Sequence, residues 1–209
     1  MNLASIVRVG LMLLRGLVRK PFLKKSRGLL LVGRGARIKD ARYVSHGGRL
    51  VIEDFAEVQG RSSAGIHFGR DVSIGRNAQI RPSSYYGGEA GHGLVVGDRS
   101  SIASDCFIGC SGEIRIGDDV MLGPAVRVYS ENHVFARTDV TIKEQGVERG
   151  VTVIENDCWI GSNTIVLSNV RIGAGSVVAG GSVVTKDIPA GSVAAGNPAR
   201  VIRARGEQA

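Results

Sequence analysis

Residues 154–186 read IENDCWIGSNTIVLSNVRIGAGSVVAGGSVVTK, and Ile154, Ile160, Val166, Ile172, Val178 and Val184 stand six apart without a slip. An amphipathic helix repeats every 3.6 residues and a half-buried strand every two. A period of six therefore means a short straight face followed by a corner, and three such faces close one triangular coil. The aliphatic residue of each hexad points inward. The glycine that often follows it, as in IGSNTI and IGAGSV, permits close backbone approach or an unusual dihedral. Four places along, a small residue fills the corner, and Cys106 and Cys158 occupy that slot as packing residues.

Working outward, the same spacing runs through Phe68, Ile74 and Ile80, then Val96, Ile102, Ile108 and Ile114, then Ile116, Leu122, Val128 and Val134. A weaker phase passes Val32, Ile38, Val44 and Leu50. There Ser62 breaks the aliphatic rule, and a shift of register to Ile52 and Val58 is open as the alternative. Between Phe135 and Val153 the phase is lost, so a loop over 135–153 must project from the stack and can wall off a cleft. Stacked coils bury their stripes only against one another, so both ends need caps. The expected organisation is a basic amphipathic helix over 1–30, an all-β solenoid over 31–190, and a C-terminal cap and tail over 191–209.

Composition agrees with a stack of thin strands. The chain has 30 glycines and 5 prolines in 209 residues and only 5% aromatics, so Val and Ile must fill the interior. Three cysteines without paired spacing or a signal peptide argue against a disulfide framework and for a reducing cytoplasm. The net charge of +8 is uneven, because residues 1–39 hold ten Lys or Arg and no acid. Leu3, Ile6, Val7, Leu11, Leu14, Leu17 and Val18 recur at helical spacing until Pro21. Arg8 and Arg15 interrupt that stretch, which falls short of the roughly 20 apolar residues a spanning helix needs. With Lys20, Lys24, Lys25 and Arg27, the segment 1–27 either lies in the headgroup region of an anionic inner leaflet or packs on the solenoid end or a sister subunit. Charge confined to one amphipathic end, with no recognition motif, excludes nucleic acid as the expected partner.

The stretches IGDDVMLGPAVRVYSENH, CWIGSNTIVLSNVRIGAGSVV and VVTKDIPAGSVAAGNPARVIR together resemble the hexapeptide-repeat acyltransferases of left-handed β-helix fold. Residues 116–203 are similar to the maltose and galactoside O-acetyltransferases and to polysaccharide O-acetyltransferases. The resemblance implies an acetyl-CoA-dependent O-acetyltransferase, a homotrimer with sites between subunits, no metal, and direct transfer to a hydroxyl of a sugar or glycan precursor. It further implies His133 as general base and the Ser162 amide at the thioester and its oxyanion. Gly180, Thr185, Lys186, Arg200 and Arg203 become the CoA contacts. Trp159 falls in the acceptor pocket, as does Asp105, where the sugar acetyltransferases carry Asn.

Chemistry supports those roles. A hydroxyl attacks a thioester poorly unless its proton leaves as the bond forms, which a neutral imidazole achieves. Glu131, Asp105, Glu144 and Glu148 are candidates to fix the imidazole's other nitrogen. Tyr85 and Tyr86, in the irregular stretch that also holds His92, can stack on a sugar ring. Two other readings stay open: an N-acetyltransferase of an amino-sugar nucleotide, and a non-catalytic scaffold. A zinc carbonic anhydrase on the same fold needs three suitably spaced histidines, and His46, His67, His92 and His133 lack that spacing.

Overall fold

The computed structural model describes residues 2–82 and 89–207. Its core is a left-handed parallel β-helix of all-β class, a triangular prism with three parallel sheets as walls. In the first sheet His46, Phe68, Val96, Ile116, Ile154 and Ile172 are register partners. The second aligns Ile52, Ile74, Ile102, Leu122, Ile160, Val178 and Ala194. The third aligns Ile38, Val58, Ile80, Ile108, Val128, Val166 and Val184. Every one of these side chains is buried, so each inward residue stacks on its counterpart about 4.8 Å away in the next coil.

The hexads of the sequence map onto these ladders with one correction. Val134 is not an inward residue: the chain has left the third sheet after Tyr129, and the Val134 amide donates to the Gly146 carbonyl at 3.1 Å. In the early coils both expected phases hold, because the strand Leu50–Ile52 buries both of its ends and passes the register on. Ser62 is buried as well, its hydroxyl donating to the Gly60 carbonyl at 2.9 Å.

Corners divide the two tasks expected of glycine. The hexad glycine serves close approach: a Cβ on Gly161 would run into the backbone of Gly180 one coil on. Positive φ falls further along, mostly to Asn and Asp such as Asn77, Asp105, Asp119, Asp157 and Asn163, whose short polar side chains tolerate the left-handed region, and to Gly35, Gly175 and Gly181 at the same place in other coils. Cys106 and Cys158 sit buried in the small slot, and their thiols donate to the carbonyls of Gly123 and Gly173 at 3.2 and 3.3 Å. Burial pushes the Cys106 thiol up to about 11 and raises that of Cys158.

Coil length varies at one edge. From first to second sheet, and from second to third, inward residues are six apart in every coil. On the return from third to first the interval is eight (Ile38 to His46), ten (Val58 to Phe68), sixteen (Ile80 to Val96), eight (Ile108 to Ile116) and twenty-six (Val128 to Ile154). It falls to six from Val166 to Ile172. Among the described residues the insertions thus gather along this return edge.

Both ends are closed. Helix α1 (Leu3–Arg19), capped by the Asn2 side chain accepting from the Ser5 amide at 2.9 Å, docks on the strand Leu30–Val32. The contact uses Met12 and Gly16, and a Cβ on Gly16 would collide with the Leu30 carbonyl. Among the described residues no helix is long and apolar enough to cross a membrane. At the far end the strand Ser192–Gly196 joins the second sheet, and Ala199–Ala204 folds back antiparallel upon it.

Candidate active site

The longest insertion on the return edge is an ordered arm. Glu131–His133 pairs antiparallel with Val147–Arg149, placing Glu131 opposite Arg149, Asn132 opposite Glu148 and His133 opposite Val147. At the tip, helix α2 (Ile142–Gln145) is held by a reciprocal cap. Thr141 Oγ1 accepts from the Glu144 amide, and the Glu144 carboxylate accepts from the Thr141 amide at 3.0 Å and from its hydroxyl at 2.8 Å. Those bonds, the hydroxyl's foremost, hold the Glu144 carboxyl below its usual range.

Where the arm leaves the prism it overhangs a pocket of about 540 Å³ on the outer surface of the third sheet. Its floor follows from register. Arg81, Gly109 and Tyr129 are stacked partners, so the missing side chain at Gly109 leaves a gap between a guanidinium and a phenol. Phe107 flanks the gap, its ring 5.7 Å from that of Tyr129, and Leu167 closes it from the next coil. Glu131, Asn132 and His133 form the overhang.

His133 is exposed at this rim, and among the described residues its ring makes no hydrogen bond within the chain. The other histidines are engaged. His46 is hydrogen-bonded through Nε2 to Ser26 Oγ at 2.5 Å and through Nδ1 to the Gly48 carbonyl at 2.7 Å; burial lowers its pKa. His67 lies between Ser45 Oγ and the Ala64 carbonyl, and His92 Nε2 stands 3.8 Å from Glu113. Of the four acids expected to orient His133, only Glu131 shares its face of the arm, since strand side chains alternate. The Glu131 carboxylate accepts from Arg149 Nε at 3.2 Å. Glu148 points to the opposite face with Asn132, Glu144 is committed to its cap, and Asp105 accepts from Asn77 Nδ2 at 3.1 Å. Asp105 opens a neighbouring pocket that shares Phe107 and Tyr129 with the first.

The remaining expected groups, Trp159 of the acceptor pocket and those of the donor, lie elsewhere on the prism. Trp159 is exposed on the second sheet in a ladder with Met121, Val177, Val193 and Arg203. Ser162 and Gly180 stack at the corner between second and third sheets, where the Ser162 carbonyl accepts from the Gly181 amide at 2.8 Å. Thr185 and Lys186 are exposed just beyond the third-sheet strand Val183–Val184, on the return edge two coils past Tyr129. Arg200 and Arg203 project from the C-terminal strand, with Arg200 Nη1 on the Ala199 carbonyl at 2.8 Å. One chain therefore brings His133 together with Phe107, Tyr129 and Arg81, but not with Trp159, Ser162 or Gly180. Tyr85 and Tyr86 lie outside the described residues. Among the described residues no three His, Cys, Asp or Glu side chains gather as a metal site.

Comparison with known proteins follows the same pattern. Residues 152–186 match the family model described as bacterial transferase hexapeptide (six repeats). The galactoside O-acetyltransferase of Escherichia coli is 33% identical over 133 residues, which are 63% of this chain and 63% of that protein. The crystal structure of a maltose O-acetyltransferase from Clostridium difficile is 33% identical, covering 65% of this chain and 67% of that one with a TM-score of 0.55. An N-acyltransferase from Bacillus cereus, in complex with dTDP-4-amino-4,6-dideoxyglucose and coenzyme A, is 18% identical. It covers 92% of this chain and 89% of its own with a TM-score of 0.59, a likeness of fold alone. The chain spans less than two thirds of the length of the curated relatives it matches.

Proposed function

The chain belongs to the hexapeptide-repeat transferases, and from that membership we propose that it moves an acetyl group from acetyl-CoA to a hydroxyl of a sugar or cell-surface glycan precursor. The observation that carries this reading is His133, exposed and unengaged at the rim of a pocket floored by two aromatic rings. The apolar face of a pyranose ring suits Phe107 and Tyr129, and Arg81 offers donors to its hydroxyls.

In this mechanism neutral His133 takes the hydroxyl proton as oxygen attacks the thioester carbonyl. The tetrahedral oxyanion forms against the Ser162 amide, a class of contact worth about 3 to 4 kcal/mol in transition-state stabilisation. Collapse breaks the carbon–sulfur bond, and the imidazolium returns its proton to the departing thiolate, giving ester and free CoA. Glu131, on the same face and paired with Arg149, steadies the arm that carries His133. Because Ser162 and His133 stand on different edges of one chain, the reacting site forms between copies. The closed arrangement we propose is a homotrimer, with Gly180, Thr185, Lys186, Arg200 and Arg203 of one copy holding CoA beside the arm of the next.

The test is release of free CoA thiol from acetyl-CoA across a panel of sugars, amino sugars and lipid-linked glycans. Acceptor-dependent release that falls at least about a hundredfold in His133→Ala, with an unchanged melting temperature, is expected. Equal rates in parent and variant would remove His133 as the base. Release with amino sugars alone would move the reading to N-acetylation.

A further inference from the structure

Helix α1 is docked by the wrong face for a purely structural cap. At 3.6 residues per turn, Met12 and Gly16 lie on the side of the helix opposite Leu3, Val7, Leu14 and Val18. The buried contact uses the first pair. Leu3, Leu14, Leu17 and Val18 are 58–76% exposed, Ile6, Val7 and Leu11 are 45–52% exposed, and Phe22 beyond the helix is 66% exposed. Burying a single leucine side chain is worth about 1.5 to 3 kcal/mol, so a helix selected only to close the prism would turn this arc inward. The arc is broad and continuous, a face suited to an apolar partner.

Charge selects the occupant. Arg8, Arg15 and Arg19 form a row beside the arc, Lys20, Lys24, Lys25 and Arg27 follow directly, and no acid occurs before Asp40. A second copy of the same face would bring these rows of cations together. An anionic lipid surface meets both features, taking the apolar arc into the acyl boundary and the cations among its headgroups. The helix has 17 residues and carries arginines within it, so it lies in the interface plane rather than across the bilayer.

We infer that α1 and the basic segment after it seat the N-terminal end of the prism on an anionic bilayer. The second-sheet strands run from Leu30–Val32, under the helix, through Leu50–Ile52, Val72–Ile74 and Ser101–Ile102 to Met121–Leu122, the coil from which the His133 arm departs. Four strand spacings set the arm about 19 Å from the Leu30–Val32 strand, and the helix adds its own diameter of about 10 Å before the lipid. If His133 is the base, the reacting hydroxyl stands at that height; the docking itself rests on the helix alone.

The test is co-sedimentation of the full chain with vesicles of phosphatidylcholine alone or mixed with phosphatidylglycerol. Binding at least about tenfold tighter to the anionic vesicles, and weakened by salt, is expected. In Val7→Asp/Leu14→Asp that binding disappears while melting temperature and oligomeric mass stay at parental values. Lys24→Gln/Lys25→Gln, which leaves the apolar arc intact, weakens anionic binding several-fold and keeps the charge argument testable if the first variant fails to fold. The inference is overturned if the parent stays in the supernatant with anionic vesicles or if Val7→Asp/Leu14→Asp sediments as the parent does. It is equally overturned if that variant's oligomeric mass falls, which would make a second copy the occupant.

Discussion

Between the second and third sheets one inward residue follows another at six in every coil, whereas between the third and the first the interval ranges from six to twenty-six. The two edges share the same coils and core, so the difference is one of constraint. At the regular corner each coil's backbone lies directly on the next, Gly161 against Gly180, and nothing can be added without parting the stack. At the return edge the chain can leave and come back without disturbing its neighbours, and there it builds the arm, the overhang and His133. Regularity carries stability on one edge, and its interruption carries the proposed base on the other.

Substitutions at matched places should separate the two edges. The largest effect is expected at Gly161→Val, whose side chain meets backbone atoms of Gly180 and Ala179 that cannot move aside; folded, soluble protein should not be recovered, as judged by circular dichroism. Next, Ile160→Ala hollows the second-sheet ladder and should cost about 2 to 5 kcal/mol in urea unfolding. On the arm, Gly146→Ala meets no neighbour within 4 Å but must accept a φ of 78° with a ψ of −149°, a region essentially reserved for glycine, so about 1 to 3 kcal/mol is expected. Phe135→Ala, 72% exposed, should stay within about 0.5 kcal/mol. If arm substitutions proved as costly as core ones, the arm would be part of the stack rather than an addition to it.

The smallest effect is a dependence on pH. Burial lowers the His46 pKa in the folded chain, so protonation favours the unfolded state. Its contribution to stability is present above the unfolded value of about 6.5 and is lost as pH falls through the folded value. Melting temperatures should therefore decline on acidification, and His46→Gln should flatten that decline. An unchanged decline in the variant would assign it to other groups.

How much of this was legible in the sequence follows the same division. The hexads are legible because one rule, an aliphatic every sixth residue, acts at every coil, and the loss of phase from Phe135 to Val153 marks the arm because insertion is permitted on one edge. Val134 misleads because it keeps the spacing by coincidence after the chain has left the sheet. The pocket floor was missed. Arg81, Phe107, Gly109 and Tyr129 meet only through register, and coils of unequal length hide which residues are partners. Counting from each coil's own inward residue would have aligned Gly109 with Tyr129, since Ile108 and Val128 precede them. The docking of α1 was equally hidden, because a helical apolar stripe reads the same whether it faces the core or the outside.

The central claim is that the base of one copy meets the donor groups of another. It is tested most directly by co-expressing His133→Ala with Arg200→Glu/Arg203→Glu under two affinity tags, purifying mixed oligomers through both, and measuring thiol release at low acetyl-CoA. In a mixed trimer one interface of three pairs an intact His133 with intact arginines, so about a third of parental activity is expected from two variants each near zero alone. Mixed oligomers no more active than the separate variants would place the whole reaction within a single chain and contradict the account.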